Sequence, residues 1–94
     1  MRKCQALNVK KGEKVFINKN FDGKNNICGK NIAKFRMEMK ISQRILAEKL
    51  QISGLNVDKN AVQRMESGQR FITDIELLHL CEVLNKTLNE LYGK

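Results

Sequence analysis

The chain has 94 residues, no proline, a formal net charge of +8 and 41% hydrophobic residues. That length allows one domain with a modest core and excludes two independent ones, and no apolar run approaches the ~18 residues of a membrane-spanning helix. The charge is uneven: residues 1–30 hold eight basic and two acidic residues, residues 31–94 ten and eight, so a basic segment precedes a nearly neutral domain, and a polyanionic partner such as nucleic acid competes with a role in solubility alone.

Residues 1–26 form the basic N-terminal arm. They are rich in Lys, Asn and Gly and lack a helical period. NVKKGEKVFI, residues 8–17, has the pattern of a small hairpin turning at Lys11-Gly12, with Val9, Val15 and Ile17 as strand residues. Two strands are marginal alone, so such a hairpin would have to dock. NKNFDGKNN, residues 18–26, reads as a loop with a turn at Asp22-Gly23.

Residues 27–94 carry the domain. Cys28, Ile32, Phe35 and Met39 recur at helical spacing and mark one apolar face of a first helix ending near Lys40. Ser42 is the expected N-cap of a second helix, with Leu46, Ala47 and Leu50 inward and Gly54 past its end. Leu55 and Val57 anchor a short loop. Asp58 caps a third helix with an apolar underside of Ala61, Val62 and Met65, closed by Ser67-Gly68. Thr73 with Glu76 makes a capping box for a fourth helix whose Leu77, Leu78, Cys81 and Leu84 are expected in the core, and Thr87 with Glu90 repeats it for a short fifth helix bearing Leu88 and Leu91. The expected fold is all-α: a compact five-helix domain behind a basic extension.

Little points to catalysis or metal. No Ser/His/Asp set, glycine-rich phosphate loop or carboxylate pair can be assembled, so no enzyme and no cofactor are expected. Cys4, Cys28 and Cys81 are odd in number and lack ligand spacing, which speaks for a reduced, intracellular protein. The basic start has no apolar run behind it and does not read as a signal peptide. Cys81 falls on the inner stripe of the fourth helix and reads as packing. His79 is expected on the outer face with Glu76 and Glu82, solvated and without a partner ligand.

The third helix carries the functional signal. Two short helices joined by a connection, the second with Lys59, Asn60, Gln63 and Arg64 on its outer face, have the form of a helix-turn-helix. A helix fits the major groove of B-DNA, where Arg can bond guanine and Asn adenine at two points each. Asn60 and Arg64 are four residues apart and share a face.

ISQRILAEKL, VDKNAVQRMESGQR and LCEVLNKTLNELY, in that order, resemble the lambda-repressor and Cro family of helix-turn-helix regulators over roughly residues 27–92. The resemblance implies a lambda-repressor-like fold and sequence-specific binding to double-stranded DNA. It implies base contacts for Lys59, Asn60 and Arg64, phosphate contacts for Gln43, Gln69 and Arg70, and a structural ion pair between Arg36 and Glu66; Gln63, on the same outer face, is expected at phosphate as well. The sequence departs from the family twice. Eleven residues, 51–61, separate Leu50 from Val62, a longer connection than usual, read as an extra turn on the second helix followed by the loop GLNVD. The basic extension is the other departure.

The expectation that follows is a cytoplasmic transcriptional regulator, bacterial or phage-borne, acting as a repressor. A short recognition helix reads few base pairs, so a homodimer on DNA is expected. The competing reading is a protein-interaction module on the same fold, such as an antitoxin component. RNA binding through the arm is a third reading, weakened by aromatics that are scattered as Phe16, Phe21, Phe35, Phe71 and Tyr92.

Overall fold

A computed structural model of the protein describes residues 22–93. The helices are α1 (Gly29–Glu38), α2 (Gln43–Ser53), α3 (Lys59–Ser67), α4 (Asp74–Leu84) and α5 (Leu88–Tyr92), with no strand among the described residues. The hairpin expected at 8–17, with the arm as far as residue 21, lies outside the described residues.

Local chemistry sets where four of these helices begin. Ser42, Asp58, Thr73 and Thr87 each accept a hydrogen bond from the backbone N–H three residues on, which satisfies one of the amides a helix start leaves unpaired. The last two are full capping boxes, closed by Glu76 and Glu90. The start of α1 differs. Its N-cap, Cys28, makes no side-chain bond, and the Gly29 N–H instead donates to Asn26 Oδ1 at 2.8 Å.

The long connection between α2 and α3 has a simple build. The second helix runs on to Ser53 and stops at Gly54, whose φ of +111° is a left-handed conformation that a side chain would strain. Leu55 and Val57 then turn inward, and Gln51 Nε2 donates to the Val57 carbonyl at 2.7 Å. The extra turn and the ordered loop together account for the added residues.

The core is formed by Cys28, Ile32 and Phe35 at α1, Leu46, Ala47 and Leu50 of α2, Val57 of the loop that follows, Val62 and Met65 of α3, Leu77, Leu80 and Leu84 of α4, and Leu91 of α5. Burying one such leucine contributes about 1.5–3 kcal/mol. In this packing α3 lies against both α1 and α2, α4 supports α2, and α5 closes onto α1 and α4.

Three expectations are corrected here. Leu78 is 61% exposed, and Leu80 takes the core position beside Leu77 and Leu84. The fourth helix is apolar nearly all round, so its periodicity did not single out one face. Glu76 and His79 are not on a solvated face: Glu76 is buried against Arg70, and the half-buried His79 is bonded through Nδ1 to Ser53 Oγ at 2.9 Å. Met39 is exposed, at the C-cap of α1, although its N–H still bonds the Phe35 carbonyl.

Candidate nucleic-acid interface

On α3, Val62 and Met65 are buried and Ala61 is half-buried, while Lys59, Asn60, Gln63 and Arg64 are exposed on the opposite side. None of these four side chains has a hydrogen bond or ion pair with another described residue. They form a surface of two amides, an ammonium and a guanidinium, donors and acceptors of the kind that base edges and phosphates take.

The inner side of the same helix is tied down by Glu66. Arg36 of α1 donates to it from Nε at 2.6 Å and from Nη2 at 3.2 Å, and Gln43 of α2 donates from Nε2 at 2.9 Å. The remaining Arg36 nitrogen, Nη1, donates to the Ile41 carbonyl at 2.8 Å. The Arg36 and Glu66 side chains are 14% and 7% exposed. Three helices therefore meet at one carboxylate, which restrains rotation of α3 about its axis and so fixes which residues face outward. Gln43 uses one amide hydrogen on Glu66.

Arg70 and Gln69 follow α3. Gln69 is exposed. Arg70, expected at phosphate, is also tied within the domain: its Nη1 donates to both Glu76 oxygens, at 2.8 and 2.9 Å, and to the Phe71 carbonyl. Burial by itself would push the Glu76 carboxyl up, but the bonds from Arg70 and Thr73, with the Arg70 charge, outweigh it and hold the carboxyl below its ordinary value. Glu76 thus closes the α4 capping box and pairs with Arg70 at once.

Sequence reasoning missed the segment before α1. Lys24, Asn25 and Asn26 bond the backbone at the C-terminal end of α3. Their partners lie 39 to 44 residues along the chain, so no local spacing signalled them.

Other candidate chemistry is weak. The Cys28 thiol is buried and pushed up to about 11, mainly by burial and secondly by the nearby Cys81, and burial pushes Cys81 up as well; both are kept from the reactive thiolate form. Cys4 lies outside the described residues. Among those residues no cluster of His, Cys, Asp or Glu is placed to hold a metal ion, and no helix is long and apolar enough to cross a membrane.

Residues 32–91 match a family model described as helix-turn-helix. No curated protein and no solved structure matches the chain.

Proposed function

The chain belongs to the Cro/C1-type helix-turn-helix family of DNA-binding regulators, and from that premise we propose that it is a sequence-specific transcriptional repressor, acting in the cytoplasm by occupying an operator. The observation that carries this reading is the contrast across α3: an inner face locked by Glu66 and an exposed outer face of four polar side chains that are unpaired among the described residues. A recognition surface needs both, since base contacts are specific only if the side chains arrive in a fixed orientation. In this reading Lys59, Asn60 and Arg64 contact bases, and Gln43, Gln63 and Gln69 contact phosphate. Arg70 contributes its charge to the backbone side while held on Glu76.

One copy of α3 spans few base pairs, so operator binding calls for two copies on half-sites about one helical turn apart. An exposed apolar groove between α4 and α5 supports a second copy of the chain as the partner. It is lined by Ile75, Leu77, Leu78, Cys81, Leu88 and Tyr92, with Asp74 its one charged residue. The same groove favours the rival reading, a module whose partner is a different protein.

Selection from a random duplex library at physiological salt, run on the wild type and on Arg64→Ala, separates the two. A two-fold symmetric motif, blurred in the variant at one position of each half-site, is the expected outcome. Arg64→Ala is expected to cost about 1–3 kcal/mol at the selected site. A wild type that enriches nothing and binds duplexes only weakly and salt-sensitively would overturn the repressor reading in favour of the interaction module.

A further inference from the structure

The segment before α1 forms a clasp on the recognition helix. Asn25 N donates to the Gly68 carbonyl at 2.7 Å, Lys24 Nζ to the Ser67 carbonyl at 3.1 Å, and Asn25 Nδ2 to the Gln69 carbonyl at 2.9 Å. Asn26 spans the junction. Its Nδ2 donates to the Met65 carbonyl at 3.0 Å and the Arg70 carbonyl at 2.7 Å, while its Oδ1 accepts the Gly29 N–H. One short segment thus bonds the carbonyls of Met65, Ser67, Gly68, Gln69 and Arg70, where a helix C-terminus leaves acceptors without intrahelical donors. The ammonium of Lys24 also sits at the negative end of the α3 dipole.

The clasp fits only because α1 comes unusually close. A Cβ on Gly29 would collide with the Met65 carbonyl oxygen and stand 2.9 Å from both the Glu66 carbonyl and Asn26 Oδ1. The start of α1 is therefore packed backbone against backbone on the end of α3. With the Glu66 carboxylate held from α1 and α2, the clasp is a second point of attachment. One attachment restrains rotation of α3, and the other fixes the position and tilt of its C-terminal end.

We propose that Asn26, assisted by Lys24, is a positioning residue for DNA reading: it holds the C-terminal end of α3 so that Asn60 and Arg64 reach base edges in register. This rests on the operator-binding reading above. It also makes residues 24–26 part of the reading head, although they precede the helix-turn-helix and carry none of its outward side chains.

The test compares wild-type full chain with Asn26→Ala and Lys24→Met. Affinity is measured for the selected operator and for random duplex at one salt concentration, with circular dichroism and thermal unfolding alongside. A merely structural residue would lower the unfolding temperature and leave the ratio of the two affinities alone, once measured on folded protein. A positioning residue lowers the ratio. Asn26→Ala is expected to reduce it about tenfold or more, the discrimination carried by roughly one base pair, with Lys24→Met shifting it the same way by less. Should Asn26→Ala not fold, Lys24→Met and Asn26→Ser, which keeps a side-chain oxygen near the Gly29 N–H, decide the matter by the same ratio. An unchanged ratio in every folded variant overturns the proposal. A wild type with no selected operator overturns the repressor reading instead, so the two failures are distinguishable.

Discussion

The two ends of this domain are held together by different physics. Around α3 the buried Val62 and Met65 are supplemented by polar joints: Arg36 and Gln43 on Glu66, and Asn25 and Asn26 on backbone carbonyls at and after its C-terminal end. Around α4 and α5 the main joints are leucines, Leu77, Leu80, Leu84 and Leu91, beside the Glu76–Arg70 and His79–Ser53 contacts, and apolar side chains are left over on the surface, with Ile75 and Leu78 63% and 61% exposed. Hydrogen bonds are directional and fix an orientation, whereas apolar contact is roughly proportional to area and tolerates sliding. A surface proposed to read bases needs an orientation. The α4–α5 groove needs only area and shape, which suits association.

The largest test of this contrast is Glu66→Ala. It strands Arg36, and removing one partner of a buried pair costs about 3–5 kcal/mol, read from urea unfolding. A loss below about 1 kcal/mol would place the pair with ordinary surface salt bridges and remove the polar joint from the account. At the other end, Leu80→Ala empties a fully buried site and is expected to cost about 2–5 kcal/mol in the same assay.

Acid provides a smaller test. The Glu76 carboxyl is held below its ordinary value of 4.5, so its contribution to stability is fully present above that value and is lost as the pH falls through the lower folded one. Unfolding midpoints in urea are expected to stay level above about pH 5 and to fall below it, with a shallower fall in Glu76→Gln. Equal slopes in the two proteins would mean that the Arg70 pair contributes nothing to acid stability.

Leu78→Ser should change stability least, by no more than about 0.5 kcal/mol. It is expected to weaken self-association in sedimentation and to raise the protein concentration needed to fill an operator. If association is unaffected while stability drops as far as in Leu80→Ala, the distinction between inward and outward leucines on α4 is wrong.

Much of the site was legible because its signals are local. Lys59, Asn60, Gln63 and Arg64 share an outer face by helical spacing, and the structure leaves that face exposed. Arg36 and Glu66 were paired by resemblance, and their side chains meet. Arg70 was not legible, because its partner Glu76 is the same residue that closes a capping box, and the box alone explained it. The clasp was not legible either. Its donors are ordinary loop residues, and its acceptors are backbone carbonyls that any sequence supplies.

The sequence by itself determined the five helices and the starts of four of them. Ser42, Asp58, Thr73 and Thr87 act on amides three residues away, and the apolar spacing in α1, α2 and α3 marks one face each. It also determined the family, through the order of its segments. Only the tertiary structure decided which leucines of α4 are buried, that His79 bonds Ser53, and that Asn26 closes on the end of α3. Caps and periodicity depend on neighbours within a turn, whereas these choices depend on which helix lies opposite, a relation between residues far apart in the chain that no spacing encodes.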